Sequence, residues 1–168
     1  DVFIELAKSL IKRYSFVRFH VVGGFDKDEI DVTLLGDAIT FYGYKKFDDL
    51  KGIYNKMDVI ISPNKPFLLG KGAFDGFPLG TVVEAVFNGV VALITDELKQ
   101  NTIFEEGKEI IIVESNKEFI EQQIISLIEN PEKLKSLSEN GKNKFFEVYS
   151  NDFQMKPRIK LLKKEIEK

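Results

Sequence analysis

Two carboxylates, Asp75 and Glu84, flank a stretch of the sequence that is suited to binding an anionic ligand. Between them lie Gly80 and Thr81, immediately before an apolar run that predicts a helix. The first backbone N–H groups of a helix lack intrahelical partners, and together with the helix dipole they favour an anion such as phosphate. The stretch therefore predicts an anion site at the start of this helix.

Glu84 has two interpretations that the residue types alone do not separate. The run from Thr81 to Glu84 matches a capping box, in which the Glu side chain only satisfies a backbone N–H group. The helix is otherwise almost wholly apolar, however, and is therefore expected to be buried. A carboxylate near its start could then accept hydrogen bonds from the hydroxyls of a ribose.

The other candidate residues each have a structural alternative. Asp75 precedes a glycine, and Asp-Gly is a common turn pair, so a turn is the favoured interpretation from the residues alone. Gly23 and Gly24 could allow a ligand to approach the backbone, or could only form a sharp exit from a strand. His20 is the only histidine and lies within an apolar run, which favours a hydrogen-bonded core residue over a catalytic base.

Composition and motifs exclude several classes of function. The net charge of -3 does not provide the basic surface that nucleic acid usually requires. The chain has no cysteine, and no cluster of residues resembles a metal site. The Gly-Lys-Gly run at 70–72 lacks the spacing and the Ser/Thr of a Walker loop, although Lys65 and Lys71 could neutralise phosphate. No apolar run is long enough for a membrane span, and no signal peptide opens the sequence.

The elements that would position these residues alternate between helix and strand. Predicted strands cover 17–22, 38–42, 58–62, 90–95 and 109–113. Predicted helices cover 1–14, 47–55, 79–88, a short piece at 101–104 and three pieces from 116 onward, broken at 130–131 and 150–151. The alternation, with strands apolar on both faces, predicts one α/β domain over residues 1–168, a doubly wound parallel sheet flanked by helices. Ligands of such sheets bind beyond the carboxyl ends of the strands, here at 23–24, 63–81 and 95–102.

The order of elements leads to a further expectation. A domain of this type is expected to begin with a strand, whereas the first predicted element here is a helix that would cover the sheet. Since a parallel crossover needs a strand on each side, we expect a preceding strand that belongs to a longer protein.

Several segments, taken together, resemble the C-terminal domain of GT-B glycosyltransferases, specifically glycosyltransferase family 4. The matching segments are 41–44, 50–54, 57–63, 75–79, 84–85, Gly89, 104–107 and 130–132. The most specific part is Gly76-Phe77-Pro78 leading to Glu84-Ala85. The resemblance spans nearly the whole chain and implies a Rossmann-like domain, one half of a GT-B fold, that binds a nucleotide-diphosphate sugar.

The resemblance also implies roles for individual residues. In this family two acidic residues, separated by seven others, contact the sugar and the ribose of the donor. Glu84 matches the second position, while Asp75 matches the first imperfectly, because it is Asp rather than Glu and eight residues separate the two. The amides of Gly80 and Thr81 would stabilise the leaving diphosphate. Other residues expected at the donor site are Gly76, Phe77, Pro78, Leu79, Gly23 and Gly24.

The implied function is that of the donor half of a retaining hexosyltransferase in polysaccharide or glycoconjugate biosynthesis. UDP or GDP is the expected nucleotide, with no metal ion or other cofactor. A sugar or lipid-linked acceptor would bind an N-terminal domain, which would leave the chain alone with little activity. We expect a cytoplasmic protein, in which any contact with the inner membrane face would be peripheral. The alternatives are a sugar-nucleotide epimerase of the same fold, a non-catalytic nucleotide-sugar-binding subunit and, last, a receiver-like signalling domain.

Overall fold

The computed structural model describes residues 2–25, 30–68, 70–72 and 74–166. In chain order the elements are α1 (Val2–Arg13), β1 (Phe19–Val21), a 3-10 helix (Thr33–Ala38), β2 (Ile39–Phe41), α2 (Phe47–Tyr54), β3 (Val59–Ser62), α3 (Gly80–Phe87), β4 (Val91–Ile94), β5 (Ile111–Ile112), α4 (Lys117–Glu129), α5 (Pro131–Tyr149) and α6 (Asn151–Ile166). Asp1 of the predicted first helix, and Leu69 and Ala73 of the long loop, lie outside the described residues.

All paired strands are parallel, as the sequence predicts, but the described strands form two sheets rather than one. Strand β1 pairs with β2, and β3, β4 and β5 pair in that order. Within the described part of the chain no ladder joins β1 to β3, so each of these strands has one edge without a strand partner. The apolar runs identify the strands, whereas the sheet to which each belongs depends on the lateral order of the strands.

Helices cover both faces of the second sheet, and β4 shows why. Its four residues are all buried, and alternate side chains of a strand point to opposite faces. Val91 and Leu93 join a core that includes residues of α1 and α4, while Ala92 and Ile94 join a core that includes residues of α3 and α5. This arrangement confirms the predicted α/β class with helices on both sides of a parallel sheet.

Side-chain caps fix the helix boundaries after the sheet. The side chain of Asn116 accepts from the Phe119 N–H group at the start of α4, and that of Asn130 accepts from the Lys133 N–H group at the start of α5. The predicted break at 130–131 is therefore confirmed. The predicted short helix at 101–104 is wrong: the Asn101 side chain accepts from the Phe104 N–H group and donates to the Phe104 carbonyl, which replaces helical hydrogen bonds.

His20 is a half-buried structural residue of β1, as the sequence favours. Its Nδ1 atom and the Tyr42 hydroxyl lie 3.0 Å apart and share a hydrogen bond. Burial, and to a lesser extent the positive charge of Lys56, lowers the pKa of His20 below its usual 6.5.

We expect His20 to make the protein less stable in mild acid. Because the unfolded chain takes up a proton at a higher pH than the folded one, stability falls as the pH drops from about 6.5 through the lower pKa of the folded state. Urea unfolding at several pH values should show this loss of stability in the wild type and not in His20→Gln. The comparison of the two proteins is made relative to the stability of each at pH 8, where His20 is neutral in both states. Parallel pH profiles for the two proteins would contradict the assignment, since the sequence contains one histidine.

Candidate functional site

The start of α3, at the carboxyl end of β3, is the centre of the candidate site. Helix α3 begins at Gly80, and its N-cap is Leu79, whose backbone carbonyl accepts from the N–H groups of Val82 and Val83. A capping box would need Thr81 at the N-cap, so this alternative for Glu84 does not apply. Within the described residues, the N–H groups of Gly80 and Thr81 donate to no protein group, which leaves them available for an anion.

Glu84 lies on the second turn of α3 and is half-buried. Burial raises the pKa of its carboxyl above the usual value of 4.5. In the described structure its carboxylate oxygens take part in no hydrogen bond or ion pair. A partly desolvated carboxylate of this kind gains more from a hydroxyl donor than a fully solvated one does.

Tyr54 is a neighbour of Glu84 that the sequence did not single out. Its side chain is buried at the end of α2, and its hydroxyl donates to the Thr81 carbonyl oxygen at 3.4 Å. Burial raises the pKa of Tyr54, and the negative charge of Glu84 raises it further. Tyr54 therefore stabilises the first turn of α3 through its hydrogen bond to the backbone of Thr81. The sequence signal for this role was a tyrosine, which combines an aromatic ring with a polar hydroxyl, at the apolar side of the short helix α2.

The loop from β3 to α3 is anchored at both ends, and most of its described residues between the anchors are exposed. At its start, the buried Thr95 hydroxyl donates to the Asn64 carbonyl. At its end, Phe77 and Leu79 pack against the core that includes α3 and α5. Asp75 lies between these anchors and is exposed, directly before Gly76, whose φ of 90° strongly favours glycine.

The remaining predicted residues occupy different parts of the structure. Pro78, between Phe77 and Leu79, is half-buried, whereas Lys65 and Lys71 are exposed. Gly23 and Gly24 lie at the carboxyl end of β1, in the other sheet, where the Gly23 N–H group donates to the Gly43 carbonyl. The structure therefore brings together Gly80, Thr81 and Glu84 on α3, with the Asp75 segment directly before them.

Tyr44 is a second aromatic residue that the chemical argument did not use. Its side chain is 89% exposed, and it lies close to Gly24: a methyl group at Gly24 would be 3.0 Å from the Tyr44 hydroxyl oxygen. A Cβ atom at Gly24 would therefore require the exposed Tyr44 side chain to shift by a few tenths of an ångström. An aromatic residue directly after a strand and a glycine, at 41–44, was the signal for this contact.

Two other kinds of site are absent from the described residues. No group of three or more His, Cys, Asp or Glu side chains is placed to hold a metal ion in this part of the chain. None of the helices in the described ranges combines the length and apolar character that a membrane crossing requires.

Comparison with known proteins gives matches in both sequence profile and structure. The profile of the family described as Glycosyl transferases group 1 matches residues 1–144. No curated protein matches the chain in sequence. Among solved structures, the C-terminal domain of a glycosyl transferase group 1 family protein (LpcC) from Francisella tularensis has a TM-score of 0.68 at 19% identity, covering 89% of this chain and 78% of that domain.

Two larger structures have the same fold over part of their length. S. aureus TarM, in complex with fondaparinux, alpha-GlcNAc-glycerol and UDP, has a TM-score of 0.72 at 16% identity, covering 96% of this chain and 32% of TarM. A UDP-N-acetylglucosamine 2-epimerase has a TM-score of 0.63 at 13% identity, covering 86% of this chain and 37% of the epimerase. This chain thus spans about a third of each of these proteins. By its sequence profile it belongs to the glycosyl transferases group 1 family, and its fold is that of a GT-B C-terminal domain.

Proposed function

We propose that this chain is the nucleotide-sugar-binding domain of a retaining hexosyltransferase, and that a second, N-terminal domain binds the acceptor. The observation that carries the proposal is Glu84, a half-buried carboxylate on the helix whose first amides are free, neither having a hydrogen-bond partner among the described residues. Membership of the glycosyl transferases group 1 family supports the reaction class. The fraction of TarM that the chain covers supports the need for a further domain.

Each part of the site would have a separate role. The ionised carboxylate of Glu84 would accept hydrogen bonds from the ribose hydroxyls. The amides of Gly80 and Thr81 would bind the diphosphate and stabilise the negative charge that develops on it as the glycosidic bond breaks. Asp75, on the exposed part of the loop, would contact the transferred sugar. These amides are fixed by the helix before the ligand arrives, so they need no metal ion for this task.

A nucleotide-sugar epimerase is the second candidate, because the structure of one such enzyme has the same fold. An epimerase would bind its substrate in the same place but would also need side chains that move a proton at the sugar. The one histidine of the sequence is a structural residue on β1, where it shares a hydrogen bond with Tyr42. Asp75 is then the carboxyl of the site that could move a proton, since Glu84 is assigned to the ribose. This favours group transfer over epimerisation.

Calorimetric titration of the purified chain with UDP, GDP and ADP tests the proposal. We expect one of the first two nucleotides to bind more tightly than ADP, and the corresponding nucleotide sugar to compete with it. Incubation of the proposed two-domain protein with the nucleotide sugar that binds, followed by NMR, should leave the stereochemistry of the sugar unchanged, whereas an epimerase would produce the epimer. A folded chain that binds none of the nucleotides at millimolar concentrations would contradict the proposed function.

A further inference from the structure

A groove lies between α1 and α4, toward the end of each helix, and polar side chains form most of its lining. Its volume is about 460 Å³, within the range of about 300–1,000 Å³ that is typical of ligand sites, and it is open to solvent. We call it the α1–α4 groove. The residues that line it are Arg13, Gln122, Ile125, Ser126, Glu129 and Asn130. Because Ile125 is the one apolar residue among them, the groove is suited to a polar ligand.

The α1–α4 groove is remote from the candidate donor site. Helix α4 begins after the carboxyl end of β5 and runs back along the sheet, so Glu129 at its end lies near the edge at which the strands begin. Helix α1 ends shortly before β1 begins, at the same edge. The start of α3 lies at the opposite edge, and α3 packs against the other face of the sheet. A ligand in the groove would therefore not occupy the site of Glu84.

Hydrogen bonds join the elements that form the groove. The Oε1 atom of Glu129 accepts from the Arg13 guanidinium at 2.9 Å and from the Tyr14 hydroxyl at 2.7 Å. Farther along the chain, the Lys133 ammonium group at the start of α5 donates to the Ser126 hydroxyl oxygen at 3.1 Å. Since α1 and α4 also share a buried core, the groove is formed before any ligand binds.

The groove offers free donors and free acceptors together. The Oε2 atom of Glu129 and the Gln122 amide group take part in no hydrogen bond among the described residues. The Asn130 side chain uses its oxygen to cap α5, which leaves its NH₂ group able to donate. The Ser126 hydroxyl accepts from Lys133 and can still donate its own proton. These groups extend over about two turns of α4, so they suit an elongated ligand.

This mixture of groups identifies a ligand that is rich in hydroxyls. Each sugar hydroxyl both donates and accepts, so a sugar chain can bind a carboxylate oxygen and an amide NH₂ group at once. A phosphate group only accepts, and it would lie beside the Glu129 carboxylate. An apolar ligand would remove the polar groups from water without giving them partners. A peptide would need further apolar surface for its side chains, whereas Ile125 is the one apolar residue of the lining.

The charge and the border of the groove agree with a sugar ligand. Arg13 and Glu129 neutralise each other, and Lys133 leaves one net positive charge, which a neutral or acidic sugar tolerates. The Phe16 ring is 67% exposed and meets the Tyr14 ring edge to face, with 5.9 Å between the ring centroids. Because the Tyr14 hydroxyl bonds to Glu129, this aromatic pair lies beside the groove. The apolar C–H face of a sugar ring can pack on an exposed aromatic ring of this kind.

We propose that the α1–α4 groove binds a segment of an oligosaccharide, and that it holds the sugar chain that the enzyme extends at a distance from the donor site. This inference rests on the proposed function only for the source of the ligand. Gln122, Ser126 and Glu129 bind its hydroxyls, together with the Asn130 NH₂ group. Glycan binding at this groove does not use Glu84 or the start of α3, so the two sites can be tested separately.

The test is a titration of the isotope-labelled chain with tetrasaccharides of glucose, mannose, galactose and N-acetylglucosamine, followed by amide NMR spectra. We expect at least one of them to shift the side-chain amide signals of Gln122 and Asn130 in a saturable way. Glycerol at the same concentration of hydroxyl groups is the control that should not do so. The backbone signals of Gly80 and Thr81 should stay unchanged.

Matched variants on one helix complete the test. Gln122→Ala should weaken the affinity for the tetrasaccharide about two- to tenfold, through the loss of one or two hydrogen bonds. Gln123→Ala makes the same change at a position of α4 that does not line the groove, and it should bind like the wild type. Alanine favours a helix, and the NMR spectra themselves show that both variants are folded.

Three results would overturn the proposal. They are the absence of a saturable shift with every tetrasaccharide, equal shifts with glycerol, and shifts at Gly80 and Thr81 without shifts at the groove. Equal weakening by Gln122→Ala and Gln123→Ala would also overturn it. Each of these results leaves the nucleotide titration, and with it the proposed function, unaffected. Conversely, Glu84→Ala should lose nucleotide affinity and keep the affinity for the tetrasaccharide.

Discussion

Replacement of Gly141 by alanine should lower the free energy of unfolding by about 2–3 kcal/mol, the cost of overpacking a closed site. Gly141 lies inside α5, where alanine normally stabilises a helix by about 1 kcal/mol relative to glycine. Here a Cβ atom would lie 2.6 Å from the Glu109 carbonyl oxygen, at the entrance to β5. Because this neighbour is backbone, it cannot rotate away, so α5 would have to shift from the sheet.

Gly52→Ala is the matched control for this effect. Gly52 also lies within a helix, α2, but it is exposed and nothing is within 4 Å of the position of its Cβ atom. We expect this substitution to raise stability by about 0.5–1 kcal/mol. Urea unfolding of the two variants measures both changes. If Gly141→Ala and Gly52→Ala shift stability in the same direction, α5 does not lie as close to the Glu109 carbonyl as the 2.6 Å distance requires.

Removal of the Glu84 carboxylate should have the largest effect on function. We expect Glu84→Ala to weaken the affinity for the preferred nucleotide by about 1–3 kcal/mol, roughly fivefold to 150-fold. Glu84→Gln should retain part of the affinity, since its amide oxygen still accepts hydrogen bonds. Calorimetric titration measures both changes, with Glu118→Ala, an exposed residue of α4, as the control that should bind normally.

The raised pKa of Glu84 gives this prediction a dependence on pH. Nucleotide affinity should fall as the pH drops through that pKa, and the fall should begin at a higher pH than for an ordinary carboxyl near 4.5. The folded state binds this proton more tightly than the unfolded state, so ionised Glu84 lowers stability at neutral pH. Glu84→Gln should therefore be at least as stable as the wild type at pH 7. A variant that binds normally, or that is much less stable, would indicate a structural role instead.

The elements of the fold were largely predictable because their signals are local. Apolar periodicity predicted the five strands and the helices from α1 to α6, and Asn130-Pro131 predicted the break between α4 and α5. Errors arose where a side chain competes with the backbone: Asn101 makes the hydrogen bonds that a helix would make. The predicted strands were also too long, since β1 is limited to the three residues that pair with β2.

The candidate site was less predictable because it depends on contacts between distant segments. Glu84 and the start of α3 could be predicted from one apolar run. The N-cap at Leu79 rather than Thr81, which excludes the capping box, depends on how the loop enters the helix. The support of α3 by Tyr54 joins residues that are 27 positions apart. The titrations test the ribose contact proposed for Glu84, and the sugar contact proposed for Asp75 stays a prediction.

Among the described residues β1 and β3 each have an edge without a strand partner, and we expect this to affect the chain at high concentration. Natural edge strands usually carry a lysine, a proline or a bulge, which prevents another chain from pairing with them. Strand β3 has the sequence Val-Ile-Ile-Ser, with none of these protections. An extended segment of any neighbouring molecule could therefore continue the ladder of backbone hydrogen bonds. Aggregation of the isolated chain should begin at β3.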